Sequence, residues 1–206
     1  MKTTTRSNSS RERILECAEA VILEKGFSAT SIDDIIDKAS ITKGGFFYHF
    51  DGKTGLAEAL VLRYLDQDDA LFQGLLAEAA ELTEDPLHRL LIFLKLLAQK
   101  LGNMPETHPG CLVASFTYES IHFNERVRFL MQIGIVNWRE MVIGLLKEID
   151  KQYEMNPVMS HETLADMFTA VIEGGIVLAR NLEQNQLLKN QVLAYRTFLR
   201  MLYGVN

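Results

Sequence analysis

Residues 44–56 read "GGFFYHFDGKTGL", and the fold turns on what this stretch holds. Gly52-Lys53-Thr54 is the tail of the phosphate-cradling pattern G-x-x-x-x-G-K-[ST], which follows a buried strand in α/β proteins. The first glycine of that pattern would fall at Phe47, and the residues before it have a helical, not an extended, pattern. The nucleotide reading fails on both counts. The same stretch carries Tyr48-His49-Phe50, whose phenol and imidazole can donate hydrogen bonds to the phosphates of a DNA backbone.

Upstream, Ile14, Leu15, Ala18, Val21 and Ile22 recur at the helical period from Ser9 or Ser10 onward, and Gly26 ends that helix. Residues 1–8 are polar and are expected to form a flexible tail. Thr30 or Ser31 caps a second, short helix with Ile32, Ile35, Ile36 and Ala39 on its inner face. Ser40-Ile41 breaks the chain, and Thr42 caps a third helix running to about Tyr48. Two short helices joined by a tight turn have the size of a helix-turn-helix whose second member enters the major groove. That second helix starts unusually bare, with Thr42, Lys43, Gly44 and Gly45. Two glycines in a helix cost about 1 kcal/mol each relative to alanine. Small residues there let the helix axis approach base edges. Lys43 can donate to a guanine or a phosphate. Lys53 opens the next helix, whose first N–H groups also face an anion. Phe46 and Phe50 are expected in the core.

Downstream the helices lengthen. One is expected from about Lys53 to Ala80, another from Pro86, a short one at 111–121, and others behind the caps Asn124 and Ser160. A stripe of Val127, Leu130, Met131, Gly134, Trp138, Met141, Leu145 and Ile149 marks the buried face of the long helix after Asn124. A last helix covers about 187–203. No stretch alternates like a strand, so the fold class is all-α: an N-terminal three-helix DNA-binding domain and a C-terminal helical bundle.

The 206 residues are 48% hydrophobic and 23% charged, enough to bury a core. No run reaches the roughly 18 uncharged residues of a membrane helix. The N-terminal "MKTTTRSNSSRER" has no apolar signal core, and Cys17 and Cys111 form no metal or disulfide framework, so a cytoplasmic location is expected. The net charge of −6 does not favour DNA at first sight. Residues 1–57, however, hold eight Lys/Arg and eight Asp/Glu, so the excess acid lies in 58–206. DNA binding then requires the cations on one face and Asp33, Asp34 and Asp37 turned elsewhere.

Residues 9–60 resemble the N-terminal domain of the TetR family of transcriptional regulators. The matching elements are "RILECAEAVILEKGF", "TSIDDIIDKASITKGGFFYHF" and "GKTGLAEAL". The resemblance implies a tail at 1–8, a DNA-binding domain at 9–68 with its helix-turn-helix at about 31–50, and a ligand-binding and dimerisation domain at 69–206. It places Ser31, Thr42, Lys43, Gly44, Gly45, Phe47, Tyr48, His49 and Lys53 on DNA. Three positions depart from the family pattern: Ser40 stands where the turn usually has glycine, Phe47 replaces a tyrosine, and Ile36 replaces an alanine.

The family also keeps an apolar cavity in its C-terminal bundle. Phe93, Leu97, Phe116, Trp138, Met141, Phe168 and Ile172, which are core by default, are its candidate walls. It pairs its last two helices with those of a second subunit, and Met167, Val171, Gly174, Gly175, Leu178, Tyr195, Phe198, Leu199 and Leu202 are the candidate face here. The expected protein is a homodimeric repressor on a near-palindromic DNA operator, released by a small apolar or amphipathic effector, with no cofactor, metal or membrane. An alternative within the family is a thiol sensor. Cys111 opens a short helix in "HPGCLVASF", and relatives with a similar Gly-Cys-Leu segment sense oxidants or electrophiles. Glu119-x-x-His122 imitates half of a di-iron motif without its second copy. An enzyme using the cavity, with Cys111 or a His as its reactive group, lacks any convergent acid–base set.

Overall fold

The computed structural model describes residues 3–205, with side chains from Ser10 onward. The described residues form helices α1 (Thr3–Lys25), α2 (Ile32–Ala39), α3 (Lys43–His49), α4 (Lys53–Leu82), α5 (Pro86–Gly102), α6 (Leu112–Tyr118), α7 (Glu125–Ile149), α8 (His161–Asn181) and α9 (Asn185–Leu202). A single 3-10 turn, Ser120–His122, separates α6 from α7, and no described residue is in a strand. The all-α expectation holds. Helix α1 begins earlier than Ser9. Residues 3–8, expected as tail, belong to it, while Met1 and Lys2 lie outside the described residues. No glycine or proline interrupts those positions, so an already formed helix can extend by one hydrogen bond per residue.

Two compact units are present. The first is Met1–Asp66 with Pro109–Ile133, and the second is Gln67–His108 with Gly134–Asn206. The division expected near residue 68 is therefore incomplete: α6, the 3-10 turn and the start of α7 pack with the DNA-binding helices. Phe27 explains this. Its ring is buried against Phe116 (centroids 5.3 Å apart) and Phe123 (4.5 Å), and Phe116 stacks on Phe123 at 4.4 Å. Three large apolar rings need a common shelter: Phe27 follows the end of α1, Phe116 lies on α6, and Phe123 follows the 3-10 turn.

Within the first unit, Arg63 on α4 bonds to the carboxylates of Glu12 and Glu19 on α1, with Glu16 at 3.8 Å. Burial raises the Glu19 carboxyl above its ordinary range, and Arg63 only partly offsets that.

In the second unit, Phe72, Phe93, Phe168 and Tyr195 form an aromatic core with centroids about 6 Å apart. The buried Tyr195 hydroxyl donates to the Leu164 carbonyl at 2.9 Å. Gly175 lets α8 and α9 touch, since a Cβ there would lie 2.7 Å from Leu188 Cδ1 and 3.2 Å from Leu188 Cα. Helix α7 has the length and mean hydropathy of a membrane span. Its Arg139, however, makes a two-point ion pair with Asp166 of α8, at 2.7 and 2.9 Å, and its Val142, Ile143, Leu146 and Ile149 are buried in the protein.

Candidate nucleic-acid interface

Helix α2 starts in a capping box. The Ser31 hydroxyl accepts the Asp34 N–H at 3.1 Å, and the Asp34 carboxylate accepts the Ser31 N–H at 2.7 Å. The Lys25 ammonium lies 2.8 Å from the same carboxylate. Lys25 and then Ser31 hold the Asp34 carboxyl well below the usual range. Thr30, the other candidate cap, is buried and donates its hydroxyl to the Gly26 carbonyl at 2.7 Å.

The turn that follows has Ser40 at φ 51°, ψ 51°, in the left-handed region. This is the position where the resemblance expects glycine, and serine adopts glycine's conformation at a cost. Thr42 then caps α3 by accepting the Gly45 N–H at 3.1 Å.

The two glycines of α3 differ. A Cβ at Gly45 would sit 3.3 Å from Thr42 Oγ1, so glycine there serves the cap. A Cβ at Gly44 would meet nothing within 4 Å, so that surface is open to an outside body. Phe46 and Phe50 are buried, as expected. Phe47 is 48% and Tyr48 77% exposed, Lys43 is exposed and His49 half-exposed. Phe47, Tyr48, His49 and Lys43 therefore flank a bare helix start on one short element.

Two cations are placed otherwise than expected. The Lys43 ammonium lies 3.4 Å from the Asp33 carboxylate, so Asp33 is not turned away from the recognition helix. Lys53 donates to the Phe27 carbonyl at 2.6 Å and sits 4.3 Å from the centre of the Phe27 ring. Its ammonium faces the α1–α2 turn. One cation escaped the sequence reading: Arg11 on α1 lies 5.4 Å from the Phe50 ring centre. Its only signal was position, one helical turn before Ile14 and Leu15.

Glu119, which in the sequence resembles half of a metal motif, has a different role. It spends its carboxylate on backbone, accepting the Phe27 and Ser28 N–H groups at 2.7 Å each. Among the described residues no three His, Cys, Asp or Glu side chains converge on a metal position. Cys111 is 6% exposed, and its sulfur accepts the Ala114 N–H at 3.4 Å as the cap of α6. Cys17 is half-exposed on α1.

The candidate cavity and dimer residues also sort differently. Phe116 belongs to the first unit with Phe27 and Phe123, and is no part of the Phe93–Phe168 cluster. Phe93, Leu97 and Phe168 are buried in the second unit, where Trp138, Met141 and Ile172 are half-buried. Of the candidate dimer residues, Gly175, Tyr195, Leu199 and Leu202 are buried inside the chain's own α8–α9 packing. Gly174 and Leu178 are exposed, and Met167, Val171 and Phe198 half-exposed. Val177 and Met201, which the sequence reading passed over, are exposed as well.

A short helix with a bare, capped start, held by a tight turn over a three-helix core, defines a helix-turn-helix DNA-binding protein. The description "Bacterial regulatory proteins, tetR family" matches residues 14–60, and "Tetracyclin repressor-like, C-terminal domain" matches residues 86–194. The chain belongs to the TetR family and is a DNA-binding regulator of transcription, not an enzyme. The transcriptional regulator AcuR of Cereibacter sphaeroides is 27% identical over 161 residues, covering 77% of this chain and 71% of that one. The HTH-type transcriptional repressor DhaR of Mycobacterium sp. (strain GP1) is 23% identical over 176 residues, covering 85% and 84%. A TetR transcriptional regulator of known structure from Chloroflexus aurantiacus J-10-FL superposes with a TM-score of 0.79 at 26% identity, covering 95% and 96%.

Proposed function

We propose that the protein is a homodimeric repressor that acts in the cytoplasm on a near-palindromic operator and leaves it when a small apolar or amphipathic molecule binds. The observation that carries the DNA half is the open surface at Gly44, flanked by exposed Lys43, Phe47 and Tyr48. A helix with no side chain at that point can seat its axis close to base edges, with Lys43 reading a base or phosphate and Tyr48 and His49 donating to phosphates. Ser31 and Thr42 stand at the N-terminal ends of α2 and α3, where their N–H groups favour anions.

Two copies would pair through the open side of α8 and α9, where Met167, Val171, Gly174, Val177, Leu178 and Met201 are accessible. An isologous patch of this kind closes a two-fold dimer and matches operator symmetry. The effector would enter the second unit beside Phe93, Phe168 and the half-buried Trp138, Met141 and Ile172, where aromatic and Met walls adapt to apolar ligands. Release requires that the effector bind better to a state with wrongly placed recognition helices.

The test is selection from random-sequence duplexes by the intact protein. Enrichment of one near-palindromic sequence is the expected result. Retention of DNA with no enrichment at any position would overturn the reading.

A further inference from the structure

The turn between α1 and α2 is gripped from three sides. Helix α1 ends at Gly26, whose φ of 88° redirects the chain. The next two N–H groups, of Phe27 and Ser28, both point into the Glu119 carboxylate at 2.7 Å. Gly26 leaves room for that carboxylate, because a Cβ there would lie 3.0 Å from Glu119 Oε1. The Phe27 carbonyl is held by Lys53 at 2.6 Å, and its ring by Phe116 and Phe123. Thr30 then bonds back to the Gly26 carbonyl, and Ser31 opens α2. The direction in which α2 leaves α1 is set here. Only Ser40, Ile41 and Thr42 separate α2 from α3, and the turn they form is capped at both ends, so α3 inherits that direction.

Glu119 lies 92 residues from Phe27 and 91 from Ser28 in sequence, within the stretch that matches the C-terminal domain of the family. It stands at the C-terminal end of α6, where an acidic side chain is unfavourable to the helix itself. Its place is explained by the turn it grips.

We propose that Glu119 is a positioning residue for operator recognition: its two carboxylate oxygens hold the Phe27 and Ser28 N–H groups so that α3 meets the major groove at the required angle. The inference rests on the DNA-binding reading of α3. Bonds from backbone N–H to an ionised carboxylate are about twice as strong as neutral ones. A carboxamide of the same size offers one acceptor and turns an NH2 group toward the second N–H. Glu119→Gln therefore keeps the packing and loses the two-point grip.

The test measures the intact protein on the duplex enriched by the wild type and on a random duplex, by fluorescence anisotropy. Glu119→Gln should bind the operator about tenfold or more weakly, with random-duplex affinity unchanged, because a lost specific geometry leaves the non-specific charge contacts in place. An operator-to-random ratio equal to that of the wild type, whether or not thermal stability falls, would overturn the proposal. If the variant does not fold, amide hydrogen exchange of the wild type decides. Coupling is reciprocal, so a grip that favours operator binding must be tightened by it. Operator should slow exchange at Phe27 and Ser28 more than at α8 amides, and equal slowing overturns the inference. A wild type that enriches no duplex removes both this inference and the DNA-binding reading. An enriched duplex with an unchanged ratio in Glu119→Gln removes this one alone.

Discussion

Lys53 holds its ammonium 2.6 Å from the Phe27 carbonyl oxygen and 4.3 Å from the centre of the same residue's ring. A lysine with the sequence position of a phosphate ligand is thus committed to the α1–α2 turn of its own chain. Burial lowers its affinity for a proton, and nearby Glu119 and Asp34 oppose that shift. The geometry predicts a double effect. Lys53→Ala should destabilise the fold by about 1–3 kcal/mol, because it removes a charged hydrogen bond and a cation–π interaction in one step. Because Lys53 holds the same turn as Glu119, the substitution should also weaken operator binding more than random-duplex binding. Lys43→Ala should leave stability within about 0.5 kcal/mol and lower the operator-to-random ratio. Urea unfolding and anisotropy separate the two. A stable Lys53→Ala with normal DNA affinity would contradict both roles.

Asp33 shields Lys43 at 3.4 Å on an exposed surface. DNA must take that cation over from the carboxylate. Asp33→Asn should therefore strengthen DNA binding by about two- to fivefold at low salt, with the gain shrinking at high salt. Its effect on unfolding should be small, as for most exposed pairs. Unchanged or weaker binding would show that Lys43 does not face the phosphates.

Ser40 occupies the left-handed region in the helix-turn-helix turn at φ 51°. Glycine accepts that conformation without a Cβ clash, so Ser40→Gly should raise stability by about 1 kcal/mol, net of the larger entropy glycine loses on folding. The urea midpoint reads the change. A lower midpoint would mean that the serine side chain contributes more than its backbone costs.

Leu178 and Leu199 separate the subunit face from the chain's own core. Leu178 is 42% exposed on α8, whereas Leu199 is fully buried on α9. Leu178→Glu should give a folded monomer by sedimentation, with operator binding lost because one half-site holds too weakly. Leu199→Glu should fail to fold, since burying an unpaired carboxylate exceeds the stability of most domains. A dimeric Leu178→Glu would move the interface elsewhere.

Glu119 also makes the fold acid-sensitive. Burial pushes its carboxyl up from 4.5, but the bonds from Ser28 and Phe27, with His122 nearby, outweigh that and hold it below its ordinary value. A depressed carboxyl contributes stability that is complete above the unfolded value and is lost as pH falls through the folded one. The wild type should lose more stability than Glu119→Gln between about pH 5 and pH 3. Parallel urea midpoints across that range would show that the carboxylate does not stabilise the turn.

The sequence by itself determined what depends on residues three or four apart. The apolar spacing in α1, α2 and α7, the caps at Ser31, Thr42, Asn124 and Ser160, and the breaks at Gly26 and Ser40-Ile41 are local signals. The same logic separated buried Phe46 and Phe50 from exposed Tyr48. Tertiary structure decided where equivalent residues go. Gly174 and Gly175 are neighbours in sequence, yet about 100° of helix rotation puts one on open surface and the other against Leu188. Tyr195, Leu199 and Leu202 read as a free apolar face until α8 and α5 covered them. Phe116 reads like any bundle aromatic until Phe27 packs against it, and Glu119 reads as half a metal motif until the turn 92 residues earlier meets it. No local period encodes such meetings, because they depend on which surfaces the packed helices bring within a hydrogen bond of each other.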